Sequence, residues 1–347
     1  MMTFQRLSGA ALAALVICCA SACGKQSEST KPAMNVSVQQ WGNAPDGTPV
    51  QLYTLCNGKG MTVRISTWGG VVQSIDVPDR SGKPGDVVLG FESVVPGYAE
   101  DSTFQGAAIG RYGNRIAKGR FTIDGTDYQV TQNEGENSLH GGKPGYDKVV
   151  WDAKPFECDA AVGVTLHRLS PDGENGYPGN LDVSISYSLN QQQELQISYT
   201  ATTDKATPVN LTHHMYYNLS GSADNSILGD ELQILADRYT PVDAKLIPTG
   251  ELRPVDGTPF DFRAPMTIGS RIGAEDAQLT LGGGYDHNFI FANADGSLKK
   301  QVALYNAASG RVMEILTTEP AVQFYSGNFL SGAEGKRGEH HAWRHGL

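Results

Sequence analysis

The chain has 347 residues, 39% of them apolar and 18% charged, and its 27 basic against 37 acidic side chains leave a net charge of -10. The acidic excess is spread rather than blocked, which argues against a nucleic-acid backbone or an anionic membrane face as partner and favours a neutral small molecule. With 41 glycines and 17 prolines the chain must contain many turns and short elements, a composition that leans towards β structure.

At the N-terminus, MMTFQRLSGAALAALVICCASACGK carries Arg6, an apolar stretch from Ala10 to Cys19 and small residues before Cys23. This is the layout of an export signal over residues 1–23. The apolar run is too short to cross a bilayer and remain there. The tetrad ASAC is similar to a bacterial lipobox, whose cysteine is lipidated and becomes the new N-terminus, although Ala20 stands where leucine is usual. Two readings of this end stand, lipidation at Cys23 and a plain signal cut near Ala22. Both make the protein exported and periplasmic, attached to a membrane only through lipid. Residues 24–36 are polar and aperiodic, a tether ahead of one domain that runs from 37 to 347. Cys56 and Cys158 are far apart in sequence and either pair or stay free. No Cys-x-x-Cys pair appears, so a metal site has no support in the sequence.

Further along, GRYGNRI (110–116) sets Arg111 and Arg115 around a turn, and Asn114 beside Arg115 offers donors of the kind that grip sugar hydroxyls or a carboxylate. Phe121, Ile123, the turn DGT, Tyr128 and Val130 then make a hairpin. NSLHGG (137–142) places His140 before two glycines, where the backbone can turn sharply or a ligand approach closely. Val183, Ile185, Tyr187 and Leu189 alternate with polar residues, as do Leu195, Ile197 and Tyr199 after NQQQE, which predicts a second hairpin with one wet face.

NLTHHMYYNL (210–219) reads as a strand in which His214, Tyr216 and Asn218 form a polar ladder on one face, and His213, Met215 and Tyr217 lie on the other. Asp286 and His287 follow GGGY and are expected in an exposed loop. A third hairpin joins Val302 and Leu304 to Val312, Met313 and Ile315. No stretch of eleven or more residues has helical periodicity. The expectation is all-β, a sandwich or barrel of one domain.

Taken together, VPDRSGKPGDVVLGF, GAAIGRYGNRIAKGRFTIDG, NEGENSLHGGKPGYD, NLTHHMYYNLSG, GGGYDHNF and TTEPAVQFYSGNFL, in this order from 77 to 330, resemble the aldose 1-epimerase (galactose mutarotase) family. The resemblance implies a large twisted antiparallel β-sandwich with a sugar cleft. It also implies interconversion of the α and β anomers of free aldohexoses through the open-chain aldehyde, without metal or cofactor, and a monomer is expected. That chemistry needs a group to protonate the ring oxygen and a group to take the C1 hydroxyl proton. Carried over residue by residue, the acid falls on His214, with His140 assisting at the ring oxygen. Asn114 and Arg115 correspond to a substrate-binding pair, Tyr216 lies beside the acid, and Asp286 binds sugar hydroxyls.

The departure from the family is in residues 331–347. Relatives continue through a segment resembling Phe-x-Leu-Glu-Thr-Gln, whose Glu is the base, whereas this chain reads RGEHHAWRHGL, without strand alternation and with three of its eight histidines. A frameshift or early stop is the expectation, with a naturally shortened variant as the other reading. Glu319 and Glu339 are not expected to replace the base. Two further readings are carried: a sugar-binding lipoprotein with impaired catalysis, and a relative acting on sugar phosphates, against which the acidic composition and the lack of a basic cluster beyond Arg115 both count.

Overall fold

The computed structural model describes residues 2–5 and 33–347. Cys23, the lipobox-like tetrad and most of the tether lie outside the described residues. The alternation from Leu181 onward becomes two strands, Leu181–Asn190 and Glu194–Thr203, paired antiparallel with Leu189 opposite Leu195 and Tyr187 opposite Ile197. Leu181, Val183, Ile185, Tyr187 and Leu189 are buried while Asp182 is exposed, because successive side chains of a strand point to opposite faces. The other two hairpins form as read, with Phe121 opposite Tyr128 and Leu304 opposite Met313.

The hairpins are parts of larger antiparallel sheets. The largest has nine strands, in the order Asp152–Glu157, Ala161–Ser170, Leu181–Asn190, Glu194–Thr203, Met2–Gln5, Val312–Thr317, Lys299–Tyr305, Glu231–Ile234 and Met266–Thr267. A five-stranded sheet runs from Asn35–Asn43 through Pro49–Cys56, Thr62–Ser66 and Val72–Pro78 to Pro84–Asp86. One apolar core joins them, with Leu55, Val63, Ile65 and Ile75 of the smaller sheet packed in the same cluster as Val164, Leu166, Val183 and Ile185 of the larger. Each such side chain contributes about 1.5–3 kcal/mol on burial. A four-stranded sheet, Arg253–Pro254, Ala236–Thr240, Asp286–Phe291 and Ala321–Tyr325, adds Tyr239, Phe289 and Phe324 to that core. The architecture is all-β, and Ala277–Gly282, capped by the Asp276 side chain, is the one α-helix among the described residues.

Several details differ from the sequence reading. Asn35 and Val36 already belong to the first strand of the five-stranded sheet, ahead of the expected start at 37. Met2–Gln5, inside the signal-like stretch, pairs with Leu195 and Glu194 on one side and with residues from Val312 to Ile315 on the other. Cys56 and Cys158 are both free, and Cys158 is exposed.

Residues 331–347, which show no alternation, are nevertheless held in place by polar contacts. Ala333–Glu334 pairs with His340–His341, and the buried Lys336 ammonium donates to Asp86 and to the carbonyl oxygens of Gln73 and Val88. The Arg344 guanidinium donates to Ser326, Asn328 and the Gly283 carbonyl. Tyr217 and Leu347 exchange backbone hydrogen bonds of 2.8 and 3.1 Å. A segment anchored by buried charges and main-chain bonds leaves no periodic apolar signature, so the alternation test misses it.

Candidate active site

Two short ladders bring the polar constellations together. Thr212–His214 pairs antiparallel with Ala107–Ile109, His214 opposite Ala107, and the Gly106 N–H donates to the His214 carbonyl at 2.9 Å. Arg115–Ile116 pairs with Ser138–Leu139, which sets Arg115 next to the turn that carries His140. At that turn His140 and Asn114 both have left-handed backbone, φ +52 and +63. A side chain on Gly141, φ +89, would run into the Gly110 carbonyl. Only glycine fits there.

The backbone of Asn114 locks His140. Its N–H donates to His140 Nδ1 at 3.0 Å, and its carbonyl accepts from the His140 N–H at 3.1 Å. Because Nδ1 accepts, the neutral ring carries its proton on Nε2. His140 and His214 then meet edge to face, ring centres 5.0 Å apart and planes at 88°. Tyr216 stacks on His214 at 5.2 Å and donates its hydroxyl to the Thr103 carbonyl at 3.0 Å. Phe104 closes the group, 4.7 Å from His140 and 5.8 Å from His214. Burial is the main cause that lowers both imidazole pKa values, His140 well below its usual range and His214 to about 4. The neighbouring imidazole and Arg115 lower His140 further, while Asp101 pulls His214 upward.

Arg115 is clamped by Glu134, its Nε donating to both carboxylate oxygens at 3.0 and 2.8 Å and its Nη2 to Oε1. Such a bidentate pair fixes the plane of the guanidinium. Asp286 is not in a loop but opens the strand Asp286–Phe291 opposite Tyr325. Its Oδ1 accepts from Gln323 Nε2 at 2.8 Å, and burial raises its pKa against the pull of Gln323 and Arg115. It lies within electrostatic reach of Arg115 and Tyr216. Of the sequence-predicted residues, His140, His214, Tyr216, Asn114 and Arg115 form one cluster, with Asp286 on its margin.

Two further expectations, for Asn218 and His287, are corrected. Asn218 does not continue the ladder of His214 and Tyr216, because regular pairing ends at His214; its amide instead donates to the carbonyls of Asn225 and His345. His287 is fully buried, its Nδ1 accepting from the Asp286 N–H and its Nε2 meeting Gln278 Oε1 at 3.1 Å. Arg111, beside the turn, is buried as well and donates to the carbonyls of Ser170, Pro171 and Pro178.

Sequence reasoning missed Phe104, Glu134, Gln323 and Tyr325, whose ring meets Tyr216 at 5.8 Å. Glu134, Gln323 and Tyr325 lie inside motifs that were singled out, so a search for polar partners of Arg115 and Asp286 had material to work on. Phe104 carries no polar signal. The arrangement offers an N–H donor at His140, a second titratable ring at His214, and a fixed cation and carboxyl at the margin. This is a set suited to a polyhydroxylated ligand and to moving a proton at one of its oxygens.

The family model described as Aldose 1-epimerase matches residues 51–343, which includes most of the segment after Leu330. The chain is 47% identical over 281 residues to the galactose mutarotase of Homo sapiens, covering 80% of this chain and 78% of that protein. It is 42% identical over 305 residues to the aldose 1-epimerase of Escherichia coli (strain K12), covering 88% and 86%. Among solved structures, the galactose 1-epimerase of Lactobacillus acidophilus NCFM superimposes with a TM-score of 0.77 at 28% identity, over 91% of each chain. With that match to its sequence and to its fold, the chain belongs to the aldose 1-epimerase family.

Proposed function

We propose that the protein interconverts the α and β anomers of free aldohexoses such as galactose and glucose, with His214 as the acid. The observation that carries this reading is the crossed His140–His214 pair, with the Arg115–Glu134 clamp beside His140, in a fold shared with epimerases. One group protonates the ring oxygen as the C1 hydroxyl loses its proton. The ring C–O bond breaks to give the aldehyde, rotation about C1–C2 presents its other face, and the same transfers run in reverse.

His140, a neutral Nε2–H donor, holds the ring oxygen. His214 delivers the proton. Burial disfavours its cationic form, and negative charge developing on the C1 oxygen offsets that effect as reaction proceeds. Asn114, Arg115 and Asp286 hold hydroxyls, and Tyr216 packs beside the acid.

The proton acceptor at C1 decides between this and a second reading. Asp101 is tied to the Thr103 N–H and hydroxyl and to the Gln105 N–H, and Asp286 is tied to Gln323. Glu339 accepts from the Ala223 N–H and from Arg337. These commitments favour a sugar-binding protein with impaired catalysis as the alternative. Polarimetry with freshly dissolved α-D-galactose and α-D-glucose separates them, since acceleration over the uncatalysed drift that is lost in His214→Asn supports the enzyme. A folded protein that binds sugar without accelerating its mutarotation supports the alternative.

We also propose export, with lipid on Cys23, on the layout of residues 1–23. Cleavage ahead of Cys23 takes Met2–Gln5 out of the large sheet and leaves Glu194–Thr203 and Val312–Thr317 without that neighbour. Mass spectrometry of the N-terminus in the membrane fraction tests it, an unprocessed Met1 being the contrary result.

A further inference from the structure

Phe104 is the one residue of the histidine cluster with no polar atom to offer, and its backbone is in the left-handed region at φ +60. For a bulky side chain this conformation is a genuine outlier, retained only where its surroundings over-determine it. The surroundings here are specific. Asp101 accepts from the N–H groups of Thr103 and Gln105 at 2.8 and 2.9 Å, which folds residues 101–105 into a tight loop. The Tyr216 hydroxyl donates to the Thr103 carbonyl, and the Ala107 N–H donates to the Phe104 carbonyl at 3.1 Å. Gly106, φ +67, faces the Val72 carbonyl where a Cβ has no room. The chain is thus bent on both sides of Phe104 so that one ring meets two imidazoles.

We propose that Phe104 is a positioning residue for the acid pair, its ring holding His140 and His214 in their crossed orientation and keeping water from them. The inference rests on the reading of these two histidines as the groups that serve the ring oxygen. Three rings in mutual contact, at 4.7, 5.0 and 5.8 Å, leave neither imidazole free to swing about its Cβ–Cγ bond without opening a gap. Asn114 fixes His140 from its Nδ1 side, and Tyr216 covers the remaining face of His214. The charged and titratable groups around the pair are Asp101 on the Phe104 loop, Arg115 beside His140, Tyr216 next to His214, and Asp286 with Tyr325 across from Tyr216. The apolar ring therefore acts on two groups whose protonation and aim both matter, since a shift of about 1 Å in a reacting group can cost 10²-fold in rate.

The test compares Phe104→Ala, Phe104→Gly and Phe104→Tyr in the full chain, with imidazole titration by NMR of the sugar-free protein and polarimetric kcat and KM across pH. Removing the ring in Phe104→Ala is expected to raise the pKa of His140 and His214 by about one unit as water enters. It is also expected to lower kcat by about 10-fold with KM within about 2-fold, and Phe104→Tyr restores both. Phe104→Gly relieves the left-handed strain and is expected to melt at or above Phe104→Ala while losing as much activity. Loss of rate that follows thermal stability across the three variants, with imidazole titration unchanged, overturns the proposal. Unchanged kcat in Phe104→Ala does so as well. Should the titration shift as expected while His214→Asn keeps the wild-type rate, the acid assignment fails and the hold of Phe104 on the rings stands.

Discussion

His213 and His214 are neighbours on one short strand, and nothing in their residue type separates them. On one face, His213 lies against the large sheet, its Nε2 2.9 Å from the Tyr187 hydroxyl and 3.3 Å from the Gly70 carbonyl. Tyr187 already donates to Gly70 at 2.8 Å, so His213 donates to Tyr187 and keeps its proton on Nε2. On the other face, His214 meets only rings: Phe104, His140 and Tyr216. A histidine whose N–H is spent on other parts of the fold is structural, while one held by ring contacts keeps its ring nitrogens for a ligand. The difference comes from strand alternation and not from the local sequence.

The most severe way to break the comparison is to exchange the roles by mutation. His214→Asn is expected to lower kcat/KM for mutarotation by about 10²- to 10⁴-fold, the range for a positioned proton-transfer group, with little change in melting temperature. Polarimetry beside a thermal melt reads both. A rate within a few-fold of wild type would assign the acid elsewhere, with His140 as the first candidate.

Acidification probes the structural imidazoles, His213 and the buried His287 of the strand Asp286–Phe291. Buried, neutral histidines bind protons in the unfolded chain below about 6.5 but resist them in the fold, where burial lowers His213 to about 3 and His287 to about 4. Stability from these groups is therefore fully present above pH 6.5 and lost as pH falls towards 4, because there the unfolded state binds more protons. For the fully buried His287 the term is on the order of 3 kcal/mol. Buried Asp230, raised to about 6, acts in the opposite sense over the same window, so the test is the difference made by His287→Phe in melting temperature measured from pH 7.5 to 4: it should remove part of the loss on acidification, and a pH dependence identical to that of the parent protein would contradict the burial assignment.

His213→Ala sharpens the contrast from the structural side. It removes the bond to Tyr187 and leaves a small cavity, for an expected loss of about 2 kcal/mol. Denaturant unfolding measures it, and kcat should stay within about 3-fold of wild type. A large fall in kcat with little loss of stability would mean that His213 acts through His214.

How much of this was legible in the sequence follows the same division. Alternation exposed the three hairpins and separated His213 from His214, because both depend only on a period of two. It overran the strand at Asn218, since nothing in the residues 215–218 announces that the ladder with Ala107–Ile109 ends at His214, and it placed Asp286 and His287 in a loop because the three glycines before them mask a strand start. Residues 331–347 were opaque for a different reason: Lys336 and the Leu347 main chain are held by Asp86 and Tyr217, far away in sequence, and Arg344 by the loop residues Ser326 and Asn328. The cluster around His214 became readable through its motifs, except for Phe104, whose role resides in backbone conformation and ring contacts.

The mildest prediction concerns the margin of the site. Glu134 fixes Arg115 through a bidentate contact, and Arg115 in turn lowers the proton affinity of His140. Glu134→Gln keeps the size of the side chain but gives Arg115 only one acceptor oxygen, so the guanidinium loses its fixed plane. If Arg115 serves only to hold sugar hydroxyls, the sugar and the transition state lose the same contact, and KM should rise by about 3-fold while kcat is unchanged. The measurement is a set of initial rates over a range of galactose concentrations. A fall in kcat at constant KM would instead place the Arg115–Glu134 pair in the proton transfer itself, extending the chemistry of the His214 face beyond its two imidazoles.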